Sequence, residues 1–200
     1  MATRGEQTRS RILDEAKQVF HRKGFTATSI NDLLAASGTT KGNLYFHFSG
    51  KEEIALEVLR REQLQFLRFL DEALRGPTAG AALDNFFRQV LEKQRRRRFI
   101  GGCLFGNTAL ETSDTSESFA DLVKEVFAAW VGRLAQVIEQ AQAAGQVRHD
   151  LSPLELGEMI VMTLEGGIMQ ARLHKSELPL KRSLETLHRV LDLKVGTVLP

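Results

Sequence analysis

The chain has 200 residues, 42% of them apolar and 26% charged, values of a folded globular protein and not of a disordered or collagen-like one. It holds 4 Pro, 16 Gly and a single Cys, which favours helix, excludes an internal disulfide and a multi-cysteine zinc site, and fits a reducing compartment such as the cytoplasm. The net charge of +2 hides an asymmetry: residues 1–51 carry eight Lys and Arg against four Asp and Glu, so one end of the chain is suited to a polyanion.

In chain order, Ile12, Leu13, Ala16, Val19 and Phe20 form one apolar stripe, predicting an amphipathic helix from about Thr8 to Lys23, ended by Gly24. Thr28 or Ser29 caps a short helix carrying Ile30, Leu33 and Leu34, and Gly38 closes it. Thr39 or Thr40 caps a third helix through Asn43, Leu44, Tyr45 and Phe46. Ser49 followed by Glu52 and Glu53 reads as the start of a fourth, with an anion site at its amides beside Lys51.

The fourth helix is expected from about Lys51 to Leu74, before the Gly76-Pro77 breaker. Further helices are expected over 79–95, after Gly101-Gly102, over 116–144, from the Ser152-Pro153-Leu154-Glu155 capping box to about His174, and after Pro179. Gly166-Gly167 inside the penultimate helix suggests close approach of another helix or a ligand. No apolar run approaches the roughly 18 residues that span a bilayer, and the first residues are polar, so neither membrane nor secretion is expected.

Two short helices joined by the turn Ala36-Ser37-Gly38-Thr39 match the helix-turn-helix that reads duplex DNA. The hydroxyls of Thr39 and Thr40 suit phosphate or base edges, Lys41 suits phosphate or guanine, Tyr45 offers a rigid hydroxyl, and Gly42 permits close approach. The stretch Gly24-Phe25-Thr26-Ala27-Thr28-Ser29-Ile30, the turn, and Lys41-Gly42-Asn43-Leu44-Tyr45-Phe46-His47-Phe48 followed by Lys51-Glu52-Glu53 resemble the N-terminal domain of the TetR family of transcriptional repressors. The resemblance implies an all-α homodimer. It places a DNA-binding domain at residues 1–50 and a helical effector-binding and dimerisation domain at 51–200, with the last two long helices as the dimer interface. Carried over by position, Thr28, Tyr45, His47 and Lys51 would hold phosphates, and Thr39, Thr40, Lys41 and Asn43 would lie nearest the bases.

The segment Gly101-Gly102-Cys103-Leu104-Phe105-Gly106-Asn107 through Glu111 is similar to a motif in one branch of that family, some members of which sense reactive electrophiles or oxidants. Cys103, at a helix start, is then either a sensor thiol or a buried small hydrophobe. Phe127 and Trp130 either line an effector pocket or belong to the core, and Glu165, Met169 and Gln170 either anchor a ligand or face solvent or a partner. The Arg95–Arg98 run reads as a solvated helix end.

The expectation is therefore a ligand-responsive repressor that binds a palindromic operator as a homodimer and is released by a small molecule or an electrophile. It would need no cofactor and no metal, since the histidines lack ligand spacing. An all-helical enzyme and an effector-independent DNA-binding adaptor are the alternatives, although no P-loop, GxSxG elbow or zinc-type histidine pair occurs.

Overall fold

The structure is a computed structural model that describes residues 3–194. Among the described residues the regular elements are nine helices: α1 (Arg4–Lys23), α2 (Ile30–Ser37), α3 (Lys41–His47), α4 (Lys51–Ala73), α5 (Ala79–Arg96), α6 (Leu104–Thr112), α7 (Glu117–Ala143), α8 (Pro153–His174) and α9 (Leu178–Val190). The all-α fold expected from composition and periodicity is the one observed. Two compact units are formed among the described residues, one from 3–64 and 104–123, the other from 65–103 and 124–194.

Helix ends follow local chemistry. α1 begins at Arg4, four residues before the expected start at Thr8, because Thr3 and Glu6 form a reciprocal capping box: the Glu6 N–H donates to Thr3 Oγ1 at 3.2 Å and the Thr3 N–H to Glu6 Oε2 at 2.6 Å. Ser29 and Asp32 make the same box at α2, and Gly38 ends that helix in the left-handed conformation. Thr40 caps α3 by accepting the Asn43 N–H. At α8 the Ser152–Glu155 box and Pro153 act together as the sequence predicts.

In the first unit, α1 buries Ile12, Leu13, Ala16, Val19 and Phe20. Helix α3 is seven residues long, too short to persist alone in water. It is held by Leu44, which is fully buried, and by Phe48 just beyond its end. The Arg9 guanidinium lies 4.9 Å from the Phe48 ring centroid while pairing with both carboxylate oxygens of Glu57. Truncating a core leucine such as Leu44 to alanine costs about 2–5 kcal/mol, more than a helix of this length supplies by itself.

The core of the second unit gathers Leu83, Phe86 and Leu91 of α5, Trp130, Leu134 and Ile138 of α7, and the inner faces of α8 and α9. The close approach expected at the glycine pair is found at Gly167, where a Cβ would lie 2.8 Å from Ser183 Oγ on α9. At Gly166 a Cβ would meet nothing within 4 Å. Arg95 is tied to Glu177 at 2.7 Å, 82 residues away, and Arg96 to Glu92 one turn back at 3.1 Å, so two members of the arginine run are paired with carboxylates.

Candidate nucleic-acid interface

Three devices set α3 as an outward-facing helix. Leu44 and Phe48, one turn apart, point into the core, which leaves Lys41, Gly42, Asn43, Tyr45 and Phe46 exposed. The Thr40 cap fixes the first turn, and the Asn43 amide donates to Thr39 Oγ1 at 3.2 Å. Behind the turn, the Lys23 ammonium bonds the Asp32 carboxylate at 2.6 Å. That bond, with the Ser29 N–H and hydroxyl, holds the Asp32 carboxyl far below the usual carboxylate range.

The residues predicted to contact DNA separate into two groups. Thr39, Thr40, Lys41, Asn43, Tyr45 and His47 lie on or beside α3 with exposed or half-exposed side chains. Thr28 and Lys51 are engaged within the protein. Thr28 is buried, and its hydroxyl donates to Gly24 O at 2.6 Å. The Lys51 ammonium donates to the carbonyls of Phe25 and Thr28, each at 2.9 Å, and stands 4.3 Å from the Phe25 ring centroid. Their side chains therefore brace the α1–α2 loop.

The anion site expected at the start of α4 is also occupied from within. The Ser49 N–H and hydroxyl both donate to Glu53 Oε2 at 2.7 Å, and these bonds hold the Glu53 carboxyl below its usual range. Phe46, which lies outside the predicted set, is at 82% exposure the barest aromatic side chain of α3. The inward spacing of Leu44 and Phe48 already placed it on the outer face.

The residues predicted for an effector form two pairs and two separate positions. Cys103 is half-buried, and its thiol donates to the Glu165 carboxyl. Burial is the larger influence on Glu165 and pushes its carboxyl above the usual range, with the Cys103 hydrogen bond opposing. Phe127 stacks on Trp130 at 6.1 Å, and Phe66 meets Trp130 edge-on at 5.0 Å. Glu165 Oε1 and Trp130 Nε1 are buried without a hydrogen-bond partner among the described residues. Met169 is 53% exposed on α8. Asn107 belongs to the first unit, where it lines a water-sized void with Phe25, Leu104 and Glu111.

No group of three or more metal-ligating side chains occurs among the described residues. No described helix is long and apolar enough to cross a membrane.

A short, capped helix presented outward from a three-helix scaffold, with a second helical unit in the same chain, defines a helix-turn-helix regulator. Residues 12–58 match the family model for bacterial regulatory proteins of the tetR family, and residues 79–187 match the tetracyclin repressor-like C-terminal domain. The chain is 26% identical over 185 residues to the HTH-type transcriptional repressor DhaR of Mycobacterium sp. strain GP1, covering 92% of this chain and 91% of the relative. It is 32% identical over 169 residues to the transcriptional regulator AcuR of Cereibacter sphaeroides, covering 84% of this chain and 77% of the relative. Among solved structures, the regulatory protein TetR from Rhodobacter sphaeroides superposes with a TM-score of 0.84 at 30% identity, covering 90% of this chain and 97% of that one. The chain belongs to the TetR family of DNA-binding transcriptional regulators.

Proposed function

We propose that this protein is a repressor that binds a palindromic operator as a homodimer in the cytoplasm and leaves it when a small molecule occupies the second unit. The observation that carries the DNA reading is the outer face of α3. It sets a cation, an amide, a phenol and an aromatic ring side by side on a helix whose opposite face is locked into the core. Those groups suit the floor and walls of a major groove. Thr39, Thr40, Lys41 and Asn43 approach the bases, Tyr45 and His47 the phosphates, and Phe46 is suited to a thymine methyl. Thr28 and Lys51 support this face by fixing the loop before α2.

Residues 1–50 carry the DNA contacts on this reading, and residues 51–200 carry effector binding and dimerisation. Met162, Met169 and Leu173 leave an apolar stripe exposed on α8, which supports a second copy as its cover. Cys103, Glu165, Phe127 and Trp130 supply weak polar groups and aromatic walls for an effector in the second unit, and Asn107 lies just beyond Cys103 in the chain. DhaR is a transcriptional repressor by name, and the same sign of control is proposed here.

Trp130 is the sole tryptophan and reports on this region directly. In a small-molecule screen, the compound that shifts Trp130 emission is expected to release a fluorescent operator duplex over the same concentration range. Emission changes that never accompany release would sink the effector assignment.

A further inference from the structure

Helix α3 does not stand alone on its face of the first unit. An open cleft of about 370 Å³ lies beside it, lined by Arg4, Gln7, Thr8 and Arg11 of α1 and by Asn43 of α3. The four α1 residues are spaced i, i+3, i+4 and i+7, so they form one continuous stripe along that helix. The contact extends to the far end of α3: a Cβ at Gly5 would lie 3.8 Å from His47 Cε1.

The charges along α1 are divided. Arg9 pairs with Glu57 and Lys17 with Glu62, and the acidic Glu6 is committed to the Thr3 capping box. Arg4 and Arg11 are exposed, and among the described residues neither forms an ion pair, not even Arg11 with Glu15 one turn away. Two guanidinium groups without carboxylate partners thus border a cleft continuous with the face assigned to DNA. A polyanion is the partner that this charge fits, and two forked donors seven residues apart suit phosphate oxygens.

Resting on the repressor reading above, we infer that Arg4 and Arg11 grip the sugar–phosphate backbone beside the groove that α3 enters. They add affinity that does not depend on base sequence. Each protomer then neutralises two phosphates through α1 in addition to those held from α3, and each neutralised phosphate steepens the salt dependence, increasing the magnitude of its exponent by about 0.9.

The test measures anisotropy of a labelled operator duplex, and of the same duplex with its half-site bases permuted, from about 50 to 200 mM salt. Full-length wild type is compared with R4A/R11A and R4K/R11K, each with its melting temperature. For R4A/R11A the expected results are a salt exponent smaller by about 2 per protomer and a loss of about tenfold or more near 150 mM salt on both duplexes. R4K/R11K is expected to keep most of the exponent, because lysine retains the charge. An unchanged exponent in R4A/R11A, a loss confined to the operator, or failure of R4K/R11K to retain the exponent would each overturn the inference while leaving the repressor reading intact. Wild type that binds neither duplex overturns both.

Discussion

The carboxylate of Glu111 on α6 accepts the backbone N–H of Thr26 at 2.9 Å, joining positions 85 residues apart in the first unit. The fit is close, because a Cβ on neighbouring Gly24, whose φ is +86°, would lie 2.5 Å from Glu111 Oε1. The loop braced by Lys51 and Thr28 from one side is thus held by Glu111 from another.

Two substitutions test this clamp. Glu111→Ala frees the Thr26 N–H to water, since that bond is exposed, and is expected to destabilise the protein by about 0.5–1.5 kcal/mol, the net worth of a hydrogen bond. Gly24→Ala is expected to be worse than Glu111→Ala, because it adds left-handed backbone strain to the clash. Denaturant melts of both variants read the order, and a Gly24→Ala variant as stable as wild type would contradict the geometry.

Gly42 separates a folding role from a DNA-facing one. A Cβ there meets nothing within 4 Å, and alanine favours helix over glycine by about 1 kcal/mol. Gly42→Ala should therefore raise the melting temperature slightly and weaken operator binding, since the added methyl stands on the face toward DNA. Equal or tighter operator binding by the variant would move the DNA off this face.

Gly167 carries the opposite expectation. Its Cβ would press on Ser183 Oγ at 2.8 Å and Leu180 Cδ1 at 3.1 Å, so Gly167→Ala should cost about 1–3 kcal/mol by forcing α8 from α9. Calorimetry of this variant beside Gly42→Ala compares one chemical change in two environments. A rise in melting temperature at Gly167 would refute the close packing.

The buried carboxyl of Glu165 ties stability to pH. Its folded-state pKa is raised above the unfolded value, by burial first, so its protonated form contributes stability below about pH 4.5. That contribution is lost as pH rises through the folded pKa. Glu165→Gln removes the ionisation, so its melting temperature relative to wild type should climb from pH 4.5 to pH 8. A difference that stays flat over this interval would show that Glu165 titrates as an ordinary surface carboxyl.

Local chemistry made much of the fold legible in the sequence. Ser152 and Glu155 marked α8, and the stripe from Ile12 to Phe20 marked α1. The early start of α1 is carried by Thr3 and Glu6, polar residues that do not continue the apolar period marking the rest of the helix. Phe46 was likewise readable from the inward spacing of Leu44 and Phe48.

The long-range pairings were not legible. Nothing in the neighbourhood of Glu111 announces Thr26, and nothing near Glu165 announces Cys103, because each link depends on tertiary packing across distant segments. Side-chain allegiance was hidden for the same reason. Lys51 and Thr28 are polar residues in a DNA-binding motif, and only the folded loop shows that their donors are turned toward carbonyls.

The most direct measurement is selection of bound sequences from a randomised duplex pool at about 150 mM salt, where specific binding exceeds non-specific binding by 10³ or more. A Lys41→Ala, Tyr45→Ala variant is run in parallel. Enrichment of a palindrome by wild type and by wild type alone is the predicted result, with half-sites separated by one helical turn or a multiple of it. A pool that stays random with wild type, or the same palindrome enriched by the variant, would contradict the assignment of sequence reading to α3.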